Sequence, residues 1–240
     1  MKKFFYLLMF AISSTLTIPS YSANREICDN NNPINVDNTN DNIDNGHRFV
    51  DLALPSGTKW ADCNIGASSP TEYGNYYAWG EKTKKSDYVG STYKYGNAHN
   101  KLTKYCTRPS YGLNGFTDNK TELILFDDVA RQSWGGSWRI PSKEQFDELI
   151  DYTKHMWTSI NGVKGILFTG RNGNSIFLPA AGYRSDTSLY DAGCIGNYWS
   201  RTINEGYPGH AYYLHFSSNN AYVNYLLLRF DGRPIRPVRP

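Results

Sequence analysis

Apolar positions predict one well-defined helix in the middle of the chain. Phe146, Leu149 and Ile150 recur at helical spacing, so one face of this segment is apolar. Ser142 stands just before it, with Gln145 three residues later, which is the pattern of a capping box. We therefore predict that Ser142 caps a helix and that the preceding tryptophan-rich turn is scaffold, with Trp138 buried.

The rest of the pattern predicts a second short helix and many short strands. Apolar residues between 123 and 134 indicate a helix that Asp127 or Asp128 caps. Residues 163–169 and 174–178 read as a hairpin that turns at the Gly-Arg-Asn-Gly stretch of residues 170–173. Further strands are predicted at residues 49–52, 58–63, 196–200, 211–216, 221–228 and 233–238. Pro234 and Pro237 place the last strand at a sheet edge, because proline donates no ladder hydrogen bond.

Two segments lack periodicity. Residues 82–116 are polar and rich in tyrosine, and they predict a long irregular loop. Residues 23–46 are rich in asparagine and aspartate and predict a disordered spacer ahead of a domain at residues 47–240. A calcium site at Asp37, Asp41 and Asp44 is the sharper alternative. The glycine and glutamate of an EF-hand loop are missing there, so the spacer is favoured.

The first 22 residues have the pattern of a signal peptide. Lys2 and Lys3 precede an apolar run at residues 4–12, and Ser20-Tyr21-Ser22 is a small-x-small cleavage signal. The run is too short to span a bilayer. We expect export to the periplasm, the cell surface or the medium. Cleavage would remove the two lysines and lower the formal net charge from +3 to +1. A near-neutral protein gives no support for a nucleic-acid partner.

Export changes how the four cysteines are interpreted. Cys28, Cys63, Cys106 and Cys194 would stand in an oxidising compartment, where one or two disulfides are plausible and three full pairings are possible. We favour Cys63 with Cys106, since both lie in the early half of the folded part. The spacings do not suit a zinc site. The sequence predicts no metal and no cofactor.

A series of ordered motifs spans nearly the whole domain, from Val50 to Arg239. They are Leu54-Pro55-Ser56-Gly57-Thr58-x-Trp60-Ala61-x-Cys63-Asn64-x-Gly66-Ala67, Glu72-Tyr73-Gly74, Trp79-Gly80-Glu81, Trp134-Gly135-Gly136-x-Trp138-Arg139-x-Pro141, Ile176-Phe177-Leu178-Pro179-Ala180-Ala181-Gly182-Tyr183-Arg184, Tyr198-Trp199-Ser200 and Arg236-Pro237-Val238-Arg239. The series resembles the Fibrobacter succinogenes major paralogous (FISUMP) domain of Bacteroides-type surface proteins. One departure is Arg233-Pro234, where relatives usually have an aromatic and a small residue.

The resemblance implies an α+β, C-type lectin-like fold with two short helices, small antiparallel sheets and long loops. It assigns no activity, and fold alone does not license one. The calcium and sugar triplets of true C-type lectins do not occur in the sequence, nor does the late cysteine pair that a formylglycine-generating oxidase needs. The five histidines form no metal-ligand pattern, and we predict that each is a surface or packing residue. The C-terminal arginines 229, 233, 236 and 239 are predicted to be solvated or ion-paired.

The function expected is therefore that of a non-catalytic binding module. Residues 190–228 concentrate tyrosine, asparagine, serine and histidine, the composition of binding loops, and predict a face for a glycan or protein ligand. Candidate binding residues are Tyr190, Arg201, Asn204, Tyr207, His210, Tyr212, Asn219, Asn220, Tyr222, Asn224 and Tyr225. Candidate structural residues are Trp60, Trp79, Trp134, Trp138, Ser142 and Trp199. Residues 201–228 also have the composition and position of a hypervariable segment. The alternative is an enzyme or processing factor on a formylglycine-generating-enzyme-like fold, with a site that sequence does not reveal.

Overall fold

The computed structural model describes residues 42–240, apart from the side chains of residues 225 and 226. This part of the chain is α+β and consists mostly of strands. The helices are α1 (Val129–Trp134) and α2 (Lys143–Tyr152). The strands are β1 (Ile43–Asp44), β2 (His47–Asp51), β3 (Lys59–Ala61), β4 (Lys154–Ile160), β5 (Val163–Thr169), β6 (Ser175–Pro179), β7 (Tyr183–Ser185), β8 (Ser188–Tyr190), β9 (Gly196–Ile203), β10 (His210–Phe216), β11 (Ala221–Leu228) and β12 (Val238–Arg239).

Both predicted helices form, and local capping explains where each begins. The Ser142 side chain accepts a hydrogen bond from the backbone N–H of Gln145, whose side chain accepts one from the backbone N–H of Ser142. The predicted capping box is confirmed. In α1 it is Asp128, of the two aspartates considered, that accepts from the N–H of Arg131. Trp138 is 0% exposed, which confirms the prediction of a buried scaffold turn.

The first sheet joins the two ends of the described chain in the order β1-β2-β3-β12. It begins at Ile43, so the prediction that disorder extends to residue 46 is wrong; residues 23–41 lie outside the described part. Asp44 accounts for the order of this segment. Its side chain accepts a 2.6 Å hydrogen bond from the hydroxyl of Ser137, and its backbone carbonyl accepts one from the Trp138 indole at 2.9 Å. Strand β12 is an edge strand, as predicted, but is shorter than residues 233–238.

Strands β4, β5 and β6 form a separate antiparallel sheet. The hairpin between β5 and β6 is confirmed, with ends within one residue of the prediction. Strand β4 is not among the predicted strands. It follows α2 directly, pairs along its whole length with β5, and leaves Met156 61% exposed. Its apolar residues do not alternate regularly, which is why the pattern gives no strand there.

The central sheet, in the order β11-β10-β9, carries core residues on both faces. Successive strand residues point to opposite faces, so Tyr198 and Trp199 enter different clusters. On one face, Leu214 packs with Phe146 of α2. The other face carries Tyr213, in the cluster that also holds Trp79 and Trp138. The remaining sheet is the two-stranded ribbon of β7 and β8.

The loop at residues 82–116 has no strand, as predicted, and includes 3-10 turns at Gly90–Thr92, Pro109–Tyr111 and Leu113–Gly115; a further turn is Leu125–Asp127. Its order comes from buried tyrosines. Tyr88, Tyr93 and Tyr95 each donate a hydroxyl hydrogen bond to a backbone carbonyl of the segment at residues 76–80. Tyr105 donates to Asp127 at 2.5 Å. These bonds satisfy the hydroxyls inside the core.

The predicted Cys63–Cys106 disulfide is wrong, because both thiols are free. Each donates locally instead: Cys63 to the carbonyl of Ala67 at 3.5 Å and Cys106 to that of Arg108 at 3.1 Å. Burial raises the pKa of Cys63 to about 11, so its thiol is protonated at neutral pH. Sequence position in the early half of the domain did not make the two cysteines neighbours.

Candidate functional site

Three arginines near the C-terminus are buried rather than solvated, and Arg239 alone is partly exposed. The predicted ion pairing holds for Arg233, with Asp231, and for Arg239, with Asp44. Arg229 donates to the hydroxyl of Tyr93 and to the carbonyls of Lys104, Tyr105 and Pro208. Arg236 donates to Asn64 and to the carbonyls of Ala61, Asp62 and Phe177. Backbone carbonyls inside a core need donors, and these two guanidinium groups supply them. Both arginines therefore act as scaffold.

Arg233 has a different environment, although it is also 0% exposed. Within the described part of the chain, none of its three side-chain nitrogens makes a hydrogen bond. The nearest carboxylate oxygen, on Asp231, lies 3.6 Å away and forms an ion pair that is longer than a hydrogen bond. Aromatic rings surround the rest of the group. Its central carbon is 4.2 Å from the ring centre of Trp199 and 5.1 Å from that of Tyr213.

A stacked pair of tyrosines lies beside this guanidinium. The rings of Tyr183 and Tyr190 are 5.5 Å apart and 24° from parallel, because the two residues are directly opposite in the β7–β8 ribbon. The ring centre of Tyr183 is 5.6 Å from the Arg233 side chain, and Tyr190 is 41% exposed. Gly182 leads into the ribbon at φ 62°, and a Cβ there would lie 2.0 Å from the carbonyl oxygen of Tyr190. Only glycine permits this close approach.

A second aromatic pair comes from the hairpin of β10 and β11. His215 and Tyr222 are cross-strand partners with ring centres 4.9 Å apart, and Tyr222 is 40% exposed. His215 Nδ1 is 2.9 Å from the side-chain oxygen of Asn197. Burial, and to a lesser degree the nearby Arg233 charge, lowers the pKa of His215. The imidazole is therefore neutral at pH 7, and the Asn197 contact requires that Nδ1 carry the proton.

Both pairs are near Arg233, which lies 5.6 Å from the ring centre of Tyr183 and whose charge acts on His215. We use the name tyrosine face for Tyr183, Tyr190, His215 and Tyr222 around the Asp231–Arg233 pair. Burial raises the pKa of Asp231, and the positive charge of Arg233 opposes that shift. The face thus combines exposed tyrosine rings and a neutral imidazole with the buried positive charge of Arg233. It can offer ring stacking and hydrogen bonding, and its arrangement resembles a recognition surface rather than a nucleophile with its base.

The structure divides the predicted binding residues among several places. Tyr190 and Tyr222 belong to the tyrosine face, and Asn224 pairs with Tyr213 on the same side of the sheet. Arg201 instead forms an ion pair with Glu122 at 2.9 Å and donates to Gln145 of α2. Lys143 of α2 lies over the ring of Tyr212, 5.6 Å from its centre.

The other predicted residues lie in two turns, at the start of β10 or outside the described side chains. Asn204 and Tyr207 lie in the connection between β9 and β10, where Asn204 is buried and its side chain accepts from the Tyr207 N–H, and His210 is the first residue of β10. Asn219 and Asn220 lie in the exposed turn before β11. The side chain of Tyr225 is not among those described. The eleven residues therefore do not form a single patch.

Sequence reasoning missed half of the tyrosine face. Tyr183 and Arg233 fall outside residues 190–228, and His215 was predicted to be only a surface or packing residue. One signal was available: Arg233-Pro234 is a departure from the motif pattern that the sequence otherwise resembles. Among the described residues, Arg233 proves to be a buried arginine whose side-chain nitrogens make no hydrogen bond.

Further searches add few constraints. Among residues 42–240, no group of three or more His, Cys, Asp and Glu side chains could hold a metal ion. In the same range, no helix is both long and apolar enough to cross a bilayer. Comparison of the chain with protein-family models, with curated proteins and with solved structures finds no match. The functional argument therefore depends on the site itself.

Proposed function

We propose that this protein is an exported, non-catalytic binding module that recognises a glycan through the tyrosine face. In this proposal the chain is a FISUMP-type domain with a C-type lectin-like fold, and its N-terminal signal peptide directs it to the cell envelope or the medium. The order of the sequence motifs and the α+β architecture with two helices support this assignment. The ligand class is argued from the chemistry of the face.

The observation that carries the proposal is the presence of exposed tyrosine rings over a buried positive charge. Tyr190 and Tyr222 present ring surface to solvent, and each is held by an aromatic partner. A held ring loses little conformational entropy when it binds. Sugar rings offer C–H groups that stack on aromatic faces, and their hydroxyls accept hydrogen bonds. The hydroxyls of Tyr190 and Tyr222 supply hydrogen-bonding groups beside these rings, and the buried Arg233 guanidinium adds a positive charge beneath the face.

The proposal is tested with a glycan array, followed by titration calorimetry on each glycan that binds. The full exported protein is compared with the variants Tyr190→Ala and Tyr222→Ala. We expect each substitution to weaken glycan binding about tenfold, because each removes one stacking ring. Tyr152→Ala is the matched control: Tyr152 is 40% exposed, as is Tyr222, but it ends α2, which packs on the other face of the central sheet.

The same experiment separates the alternatives. Tyr207→Ala tests the turn between β9 and β10, since Tyr207 is 51% exposed but lies beside Tyr111 rather than in the tyrosine face. Full glycan binding by both the Tyr190→Ala and Tyr222→Ala variants would refute the proposed face. Capture of a protein with no glycan bound would favour a protein ligand. Chemical change of a bound glycan, detected by mass spectrometry, would favour the enzyme alternative.

A further inference from the structure

A cleft of about 510 Å³ lies on the other side of strand β7 from the tyrosine face. Side chains alternate along a strand, so Tyr183 and Ser185 point one way and Arg184 points the other, into this cleft. The volume is within the range of small-molecule sites. The cleft therefore shares a wall with the tyrosine face but is a separate place.

The charged residues that line the cleft all have one sign. Lys84, Lys85 and Arg184 line it, and no aspartate or glutamate does. Only Lys85 has a carboxylate partner among the described residues, Glu81 at 3.1 Å. The Arg184 guanidinium lies over the Tyr76 ring, 5.3 Å from its centre, and forms neither an ion pair nor a hydrogen bond within residues 42–240. Two positive charges thus remain uncompensated in a concave surface, which concentrates anions.

The walls of the cleft are held by the backbone and by buried tyrosines. Arg184 exchanges two backbone hydrogen bonds with Gly232, at 2.7 and 2.8 Å. Tyr76 donates its hydroxyl to the carbonyl of Ala181, and Tyr88 donates to the carbonyl of Tyr76. A Cβ at Gly232 would lie 2.5 Å from the Tyr88 ring, so the two walls are in close contact. Arg184 is therefore presented from a strand whose backbone and neighbouring tyrosines are held by hydrogen bonds.

Neutral donors complete the lining. Ser86 and Thr187 contribute hydroxyls, and Asn75 contributes an amide. Asp87 and Asp186 are next to lining residues in the chain, but neither lines the cleft. A planar guanidinium with adjacent ammonium and hydroxyl groups matches the oxygens of a carboxylate, sulfate or phosphate group.

We propose that this cleft is a binding site for an anionic oxygen group, held by the two uncompensated cations Arg184 and Lys84. The site does not depend on the tyrosine face. Comparison with a second cleft, at Arg171, shows what distinguishes the cleft at Arg184. There, Arg171 lies over Tyr152 at 5.4 Å in much the same way, but that cleft, of about 380 Å³, is lined by Asp151 as well as by Lys154. One carboxylate there offsets part of the positive charge, whereas no carboxylate lines the cleft at Arg184.

The test titrates the full protein, by calorimetry, with four probes: inorganic sulfate, inorganic phosphate, a galacturonate trimer and a sulfated disaccharide. We expect saturable binding of at least one probe, and the pattern identifies the group as sulfate, phosphate or carboxylate. Arg184→Gln should weaken that binding about tenfold, because it removes a charge-assisted pair. Arg171→Gln should leave it unchanged. Lys84→Gln is a second variant. Because the Lys84 side chain is exposed, removing its charge should weaken anion binding without affecting folding.

Three results would overturn the proposal. One is the failure of all four probes to bind. Another is binding that survives both the Arg184→Gln and Lys84→Gln substitutions. The third is an equal loss in the Arg171→Gln variant, which would indicate attraction by net charge alone. The Tyr190→Ala and Tyr222→Ala variants should still bind the inorganic anions, so failure of the glycan proposal is distinguishable from failure of this one.

Discussion

Arg233 and Arg236 are three residues apart in the last segment of the chain, both completely buried, yet their surroundings are opposite. Arg236 donates to four acceptors at 2.9 to 3.3 Å, three of them backbone carbonyls. Arg233 makes no hydrogen bond in the described part of the chain and has aromatic rings and one distant carboxylate instead. Judged by burial alone, the two arginines would be assigned the same structural role.

The difference shows that the partners of a buried charge, rather than its burial, indicate its role. Arg236 ties the segment at residues 61–64 to strand β6 through four hydrogen bonds, which its substitution would remove together. Arg233 serves no carbonyl, so no backbone segment depends on it. A buried polar group that lacks partners requires an explanation, and ligand recognition is one. Its position under exposed tyrosines gives that explanation here.

The largest expected effect is that of Arg236→Met. The substitution leaves four acceptors without a donor, so we expect the free energy of unfolding to fall by about 4 kcal/mol, at about 1 kcal/mol for each lost partner. Urea denaturation followed by tryptophan fluorescence measures the change. Glycan binding by the fraction that stays folded should not change. A loss below about 1 kcal/mol would contradict the scaffold role.

Arg233→Met should lower the free energy of unfolding by slightly less, about 3 kcal/mol, the lower end for breaking a buried ion pair, because this pair is 3.6 Å long and no carbonyl loses a donor. The double variant Arg233→Met/Asp231→Asn should recover to within about 1 kcal/mol of the original stability, since replacing both members of a buried pair is often close to neutral. Glycan binding should be weakened in both variants.

The double-mutant cycle also tests the contrast with Arg236. If the double variant is no more stable than Arg233→Met, then the aromatic contacts of Arg233, rather than the Asp231 pair, account for its stabilising contribution. If glycan binding is unchanged in both variants, the guanidinium is scaffold like that of Arg236, and the contrast between the two arginines has no functional meaning.

Local features of the fold were predictable because neighbouring residues encode them. The capping box of α2, the cap of α1 and the β5–β6 hairpin each depend on residues only a few positions apart. The prediction that the disordered spacer extends to residue 46 was wrong for the opposite reason. Asp44 is ordered by Ser137 and by the Trp138 indole, more than 90 positions away, and composition cannot reveal such partners.

The candidate site was less predictable because its groups meet only in the folded chain. Tyr183 and Tyr190 are brought together by a short ribbon, and Arg233 reaches them from a segment some 50 residues later. The spacing of Arg233 and Arg236 does not say which guanidinium will find carbonyls. Cys63 and Cys106 illustrate the same limit, since each bonds within its own loop.

The smallest expected effect concerns His215, and it tests whether Arg233 acts on the face electrostatically. Burial and the Arg233 charge hold the pKa of His215 below its usual value, so the folded protein binds this proton more weakly than the unfolded chain does. The contribution of His215 to the free energy of unfolding is therefore fully present above the pKa of the unfolded chain, about 6.5. It is lost as the pH falls through the lower pKa of the folded protein.

An NMR titration of the imidazole C–H signals measures this pKa directly. Arg233→Met should raise the pKa of His215, because the substitution removes the positive charge that faces it, while Asn197 and Tyr222 remain as its neutral neighbours. Arg236→Met, where folded, should leave it unchanged. Equal shifts in the two variants would mean that the substitutions act through a general loosening of the core. A shift in the Arg233→Met variant alone would show that the Arg233 guanidinium interacts electrostatically with the tyrosine face. The hydrogen-bonded Arg236 has no such effect on His215.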